Sequence, residues 1–266
     1  MSNPTLRDII EAVDAQAAPR WQEDFDNSGW QILLPHAYDD ECSAMMICVD
    51  ATEEIIREAA TKGCNLLLTH HPLLFRGVKR IDDSNRTGRC IIEAIKQGVS
   101  IYSCHTPVDL APEGVSHALA HRLGLVDVEV LSPKEPALGL GVVGDLPVAL
   151  PFNTLVQKVK QVCGSPVARC SGVETVHGDV KRVAIGGGAC SDLIPTAIAS
   201  GAQVMITSDV KHNLFLDYAH AIAVVDLGHY ETEDCTKDIF YNIITKKFPN
   251  FVPYYSNNEK NPIIYL

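Results

Sequence analysis

The chain has 266 residues, 46% of them hydrophobic, and a formal net charge of −11 at pH 7. That is enough apolar material for one large or two ordinary cores, and the acidic balance argues against nucleic acid as the main partner, because phosphate binding draws on clustered Lys and Arg. No apolar run approaches the ~20 residues of a membrane span, and Met1-Ser2-Asn3-Pro4 lacks the basic and apolar regions of a signal peptide, so a soluble cytoplasmic protein without a membrane partner is expected. The nine cysteines include no Cys-x-x-Cys pair. They read as buried small side chains rather than a thiolate zinc site or a disulfide framework.

Leu6, Ile9, Ile10 and Val13 fall at helical spacing between Thr5 and Val13. The stretch Trp21 to Trp30 is polar and turn-forming around three aromatics, and its Asp26-Asn27-Ser28-Gly29 is ordinary loop chemistry. Residues 44–50 then read as a buried strand, Asp50-Ala51-Thr52 as a helix cap, and 53–62 as a helix stopped by Gly63. A strand over 65–69 delivers His70-His71-Pro72. After a polar loop, a helix from about Gly88 to Gln97 leads to a strand over 99–104 that delivers His105-Thr106-Pro107-Val108-Asp109. A helix over 114–123 follows, and Pro133 and Pro136 then interrupt the pattern.

The expected organisation is therefore α/β, with mostly parallel sheets in two similar units, 1–130 and 131–266, and a C-terminal segment able to return to the first. The second half has a Gly-rich strand over 138–144, a helix with Leu155, Val156, Val159 and Val162 on one face, and further strands. It also resembles the first half: Gly63 to Thr69 compares with Gly201 to Thr207, at a constant separation of 138 residues. One strand later, His105 and Asp109 compare with His229 and Glu233, each pair four residues apart.

Ligands in open sheets bind outside the carboxyl ends of strands, where side chains project from a rigid scaffold. Those ends here carry His70-His71, His105 with Asp109, Thr207-Ser208-Asp209, and His229 with Glu233. Within a regular strand His70 and His71 would face opposite ways, but Pro72 ends the strand and lets both rings turn toward one crevice. Two adjacent imidazoles suit two neighbouring ions better than one, and a carboxylate can bridge such a pair. Asp109, His229 and Glu233 would complete the set. Histidines and carboxylates without thiolates suit two divalent ions per chain, Zn, Fe, Mn or Co, without choosing among them. His105 is a ligand, a group behind the ligands that orients Asp109, or a general base. Gly186-Gly187-Gly188-Ala189 lacks the Gly-Lys-Ser/Thr ending of a phosphate loop and reads as a tight turn. Arg76, Lys79 and Arg80, and likewise Lys211 and His212, could meet an anionic substrate or simply lie in solvated loops.

Taken in order, Leu67-Leu68-Thr69-His70-His71-Pro72-Leu73-Leu74-Phe75, His105-Thr106-Pro107-Val108-Asp109, Gly186-Gly187-Gly188-Ala189, Thr207-Ser208-Asp209-Val210-Lys211-His212 and Gly228-His229-Tyr230-Glu231-Thr232-Glu233 resemble the Nif-three-like family, also known as GTP cyclohydrolase 1 type 2. The resemblance implies two similar α/β units, a dinuclear metal site between them, and a ring-shaped homohexamer. It pairs His70 with Asp109 on one ion and His71 with His229 on the other, with Glu233 shared. The cyclohydrolase name implies hydrolytic opening of the GTP purine ring, and so a small-molecule, nucleotide-type substrate. A non-catalytic metal-binding adaptor or metal-handling protein is the alternative. Two positions depart from the family pattern. Ser208 stands where Gly is common between Thr and an acidic residue, and where a Gly often follows an Asp-Asn-x-Gly-Leu-Gln stretch this chain reads Gly29-Trp30-Gln31-Ile32-Leu33.

Overall fold

Helix α1 (Leu6–Asp14) opens on a capping box in the computed structural model, which describes residues 3–35 and 37–266. Asp8 N–H donates to Thr5 Oγ1 at 3.1 Å and Thr5 N–H donates back to the Asp8 carboxylate at 2.8 Å. The apolar face expected from the sequence is buried. Strand β1 (Gly29–Ile32) follows, a short element that turn-rich composition conceals. Next come β2 (Met45–Cys48), α2 (Glu53–Thr61), β3 (Leu66–Thr69), α3 (Arg86–Gln97), β4 (Ser100–Ser103) and the short α4 (Thr106–Leu110). The cap of α2 is Thr52, whose Oγ1 accepts from Ile55 N–H at 3.3 Å, which leaves Asp50 for other work. Asn85 caps α3 by accepting from Gly88 N–H at 2.9 Å, so this helix starts before the glycine at which the sequence placed it.

The remaining elements are α5 (Val115–Leu123), β5 (Val126–Glu135), β6 (Leu138–Leu150), α6 (Phe152–Cys163), β7 (Arg169–Ser171), β8 (Val180–Ile185), α7 (Ile194–Ala199), β9 (Val204–Thr207), α8 (His212–Tyr218), β10 (Ala223–Asp226), α9 (His229–Glu233), α10 (Thr236–Lys247) and β11 (Tyr254–Tyr255). The chain folds as two units, Met1–Val108 with Thr236–Lys260, and Asp109–Cys235 with Asn261–Leu266. The prolines Pro133 and Pro136 lie in the β5–β6 hairpin, not in a linker. Pro133 belongs to an outermost strand, where its missing N–H costs the ladder little.

In the first unit the strand order is β1-β4-β3-β2-β11, parallel throughout except for the antiparallel β1. The register aligns Cys48 with Thr69 and Thr69 with Ser103, so three strands end at one level and release residues 49–50, 70–71 and 104–105 along one edge. Leu66, Leu67, Leu68 and Thr69 are all fully buried, as expected of a central parallel strand. Met46, Ile55, Ile56, Leu67, Cys90 and Ile101 join one core cluster that fastens α2 and α3 to the sheet.

The second unit is a mixed sheet, β5-β6-β8-β9-β10-β7, in which β8, β9 and β10 run parallel. Its β7-β10-β9-β8 segment repeats the β1-β4-β3-β2 order of the first unit, including one antiparallel strand beside the last parallel one. Each unit then extends this shared plan differently, the first with β11 beside β2 and the second with the β5–β6 hairpin beside β8. Among the described residues no helix is long and apolar enough to cross a membrane.

Residues 256–258 of the first unit are tied down by the carboxylate of Glu58. Glu58 accepts from Ser256 Oγ at 2.6 Å and from the N–H groups of Asn257 and Asn258, and it pairs with Lys62 at 3.1 Å. Burial alone would raise its pKa, but these donors outweigh it and bring Glu58 from 4.5 down to about 2. A depressed carboxylate contributes stability above its unfolded value and loses it as pH falls toward its folded one. Amide exchange at Asn257 and Asn258 is therefore expected to lose protection between the ordinary value of 4.5 and about 2. In Glu58→Gln that pH step is expected to vanish; a step that persists would place the titration elsewhere.

Candidate metal centre

The site begins where β3 stops. His70 N–H and His71 N–H donate to Cys48 O at 3.2 Å and Val49 O at 2.9 Å, consecutive amides to consecutive carbonyls. A parallel ladder uses alternate residues toward one neighbour, so this marks the point where the strand geometry breaks. Thr69 Oγ1 and Ser103 Oγ lie 2.5 Å apart, at 2.9 and 3.1 Å from the His71 carbonyl oxygen, and hold the chain in its bend. The two adjacent rings then lie side by side, centroids 4.8 Å apart and planes inclined by 39°. His105, delivered by β4, is steeply inclined to both, at 70° and 79°, with ring centroids 5.2 and 5.5 Å away. One ring nitrogen from each of His70, His71 and His105 falls within 4.8 Å of the others, a grouping able to hold a metal ion.

What fixes these rings is the acceptor on each Nδ1. His70 Nδ1 meets Cys104 O at 3.2 Å, His71 Nδ1 meets Asp50 Oδ1 at 3.2 Å, and His105 Nδ1 meets Asp26 Oδ1 at 2.7 Å. A carbonyl or carboxylate there favours the Nδ1–H tautomer, which makes Nε2 the nitrogen suited to a metal. Asp26 is the most committed of the three. It also accepts from Asn27 N–H, Ser28 Oγ, Thr106 N–H and Thr106 Oγ1. Burial would raise its pKa, but hydrogen bonds from His105, Thr106 and Ser28 drive it well below the carboxylate range. Asp50 is likewise lowered, with burial opposed chiefly by the His71 hydrogen bond.

Neither aspartate stands out in the sequence as a site residue. Asp26 lies in turn chemistry and Asp50 in an apparent cap. The one available signal concerns Asp50, which closely follows a buried strand whose parallel neighbour leads into His70-His71; nothing of that kind marks Asp26.

The second unit carries its own donors. Helix α9 places His229 and Glu233 one turn apart on the same face, with His229 Nε2 at 2.9 Å from Glu233 Oε2. Asp109 and Glu233 each present a carboxylate oxygen within 4.8 Å of the other. His229 repeats the pattern of the first unit, since its Nδ1 meets Asp209 Oδ2 at 2.7 Å. Asp209 has a left-handed backbone, φ 54°, a costly conformation for a non-glycine residue. The buried Asp226 sustains it by accepting from Val210 N–H at 2.8 Å and Gly228 N–H at 3.1 Å, the residues beside the Asp209–His229 pair.

The Gly186-Gly187-Gly188 turn is packed rather than open. Its three N–H groups donate to Ile206 O, Ser116 Oγ and Thr232 Oγ1, so they are committed internally and do not cradle a phosphate. Glycine suits position 188 because φ is +66° and an added Cβ would displace the Glu233 carboxylate. Cys190 donates to Gly187 O at 3.2 Å, and burial together with the charges of Asp109, Asp192 and Glu233 raises its pKa, so it persists as a thiol rather than a thiolate ligand. Lys211 and His212 are exposed at the start of α8, and Arg76, Lys79 and Arg80 are exposed in the loop between β3 and α3. At the root of that loop, Phe75 turns its ring to His105 with centroids 6.0 Å apart.

Fold and donors together define a class: an α/β protein of two topologically similar units whose strand ends carry anchored histidines and carboxylates able to bind metal. A family model described as Duf34/NIF3 (NGG1p interacting factor 3) matches residues 4–262. The chain belongs to this family. It is 31% identical over 231 residues to a Clostridium perfringens protein named GTP cyclohydrolase 1 type 2 homolog, covering 86% of each chain. It is 24% identical over 254 residues to the Schizosaccharomyces pombe protein NIF3 homolog, covering 91% of this chain and 89% of the relative. The crystal structure of a Bacillus cereus protein related to NIF3 matches with a TM-score of 0.89 at 22% identity, covering 100% of both chains, which shows the shared fold.

Gly188→Ala is expected to displace the Glu233 carboxylate from His229 and to cost about 1–3 kcal/mol of unfolding free energy through the left-handed backbone and the clash. Urea unfolding and the His229 ring resonances check this. An unchanged midpoint with unchanged resonances would show that Glu233 has room to move.

Proposed function

We propose that the chain is a divalent-metal-dependent hydrolase in which His70, His71, Asp109, His229 and Glu233 hold two ions, and that its substrate is a small anionic molecule of nucleotide or pterin type. The observation that carries the reading is the repeated anchoring of Nδ1 on His70, His71 and His229 by oxygen acceptors, which suits Nε2 on each to face a metal; His229 Nε2 already lies 2.9 Å from Oε2 of Glu233, another of the proposed ligands. A histidine kept for packing has no need of that arrangement, and three of them at the ends of β3 and β10 are hard to explain by packing alone. The donor chemistry fits a divalent ion of the Zn, Fe, Mn or Co type, since it is imidazole and carboxylate with the neighbouring thiol kept neutral. Adjacent His70 and His71 would serve different ions, with Glu233 shared.

Ions held there would act as Lewis acids toward a water and toward an oxygen of the substrate. The chain's own residues supply the rest. His105, with Nδ1 committed to Asp26, can take up or return a proton at Nε2. Phe75 offers an aromatic edge beside it, and the cations Arg76, Lys79 and Arg80 follow within a few residues, favouring an anionic substrate. The name borne by the Clostridium perfringens relative supports GTP or a GTP-like compound as the first candidate. We also propose a cytoplasmic setting, from the sequence reading, and a homohexamer, from the family resemblance alone.

Protein purified without chelators is expected to carry about two divalent ions per chain, and Glu233→Ala to lose most of both, by elemental analysis. Absence of ions in the unaltered protein would end the metal reading. Turnover is checked with nucleotides, pterins and phosphoesters against the Mn, Fe, Co and Zn forms; a flat result with both ions bound would leave a metal-handling or adaptor protein. Replacing Arg76, Lys79 and Arg80 together by Ala is expected to raise KM about tenfold or more for a phosphorylated substrate with kcat little changed.

A further inference from the structure

The first unit contains a buried carboxylate that no part of the proposed reaction uses. Glu259 comes from the C-terminal stretch, and its side chain is only 3% exposed. An ionised group in that position is costly unless it is paired and hydrogen-bonded. It is both. Lys237 Nζ lies 3.0 Å from Oε2, and Oε1 accepts from Val49 N–H at 2.5 Å and from Asp50 N–H at 3.3 Å.

The reason those two amides need a side chain is visible in the sheet. Strand β11 pairs with β2 only through Tyr254 to Met46 and Tyr255 to Ile47, so it ends before Val49 and Asp50. Glu259 takes the place of the missing strand and satisfies both amides. An edge of β2 could have been left to solvent at no such cost, and what lies at this edge is distinctive. Val49 O accepts the backbone N–H of His71 at 2.9 Å, and Asp50 Oδ1 meets the ring Nδ1 of the same histidine at 3.2 Å. Backbone and ring of His71 are therefore both referred to a two-residue segment that Glu259 grips from behind.

We propose that Asp50 is a positioning residue that sets the tautomer and orientation of His71 for metal binding, and that Glu259 holds Asp50 in place, so that the C-terminal stretch of the first unit tunes one metal ligand. This rests on the metal reading above for its consequence, but not for its geometry. The Asp50–His71 contact orients one histidine, so its loss affects the ion that His71 serves and spares the ion served by His70, whose Nδ1 is held by a main-chain carbonyl. Glu58 contributes indirectly, since it fixes residues 256–258 next to Glu259.

Two measurements on the full-length protein test this. In the first, nitrogen-15 NMR of the metal-free protein reads the His71 ring. The unaltered chain is expected to carry the proton on Nδ1, Asp50→Ala to lose that preference, Glu259→Ala to show a mixture of tautomers, and Glu259→Gln, which keeps an acceptor oxygen, to stay close to the unaltered ring. In the second, chelator competition measures both ions. Asp50→Ala is expected to weaken one of them about 10–100-fold and leave the other unchanged.

Unaltered tautomer and unaltered affinities in Asp50→Ala would overturn the proposal. An effect in Asp50→Ala with none in Glu259→Ala would overturn the part assigned to Glu259. Unaltered protein that binds no ion would instead sink the metal reading, and the ring tautomer would still decide whether Asp50 governs His71.

Discussion

The bend after β3 is the constraint on which the first unit's site depends. A buried strand of Leu66, Leu67, Leu68 and Thr69 must end with two histidines presented together, although strand geometry would send them to opposite faces. The break is made by hydroxyls. Thr69 and Ser103, matched in register on β3 and β4, gather on the carbonyl oxygen of His71 and take the chain out of its ladder. Both hydroxyls come from buried positions, where a hydrogen bond is electrostatically stronger and an unmet polar group would be expensive. Substituting either by an apolar residue would leave the His71 carbonyl short of a donor just where the rings have to be held.

Around that bend the molecule uses one device repeatedly. A histidine projects from a strand end or helix start, and an oxygen acceptor from a neighbouring loop fixes its Nδ1. Asp50, Asp26 and the Cys104 carbonyl do this in the first unit, and Asp209 does it in the second. The two sheets reach the arrangement from the same strand order, three parallel strands flanked by one antiparallel strand, before diverging at the opposite edge. A shared plan with different extensions fits a family whose relatives align over most of the chain while keeping about a quarter to a third of their residues identical.

Much of this was legible in the order of residues. Period and punctuation mark β2, α2, β3, α3, β4 and α5 to within a residue or two, because helix caps and glycine stops act locally. The histidines and carboxylates at strand ends were legible too, since the strand that delivers each is a run of apolar residues. The short antiparallel β1 was not, because an edge strand of four residues amid turn chemistry has no periodic signal of its own. Nor were the prolines near 133 a boundary; they sit in an outermost strand that tolerates a missing donor. Asp26 and Asp50 were hidden for a further reason. Their residue types are those of ordinary turns and caps, and their partners lie 79 and 21 residues away in sequence.

Sequence by itself determined the α/β class, the doubled pattern of strand ends and the identity of the donor side chains, because each follows from local periodicity and composition. Only the tertiary structure decided which nitrogen of each histidine is anchored by an oxygen acceptor, that Gly188 packs against the Glu233 carboxylate, and that Glu259 completes the edge of β2. These depend on acceptors and backbone approaches from distant segments, and hydrogen-bond geometry between such segments exists only once the chain has folded.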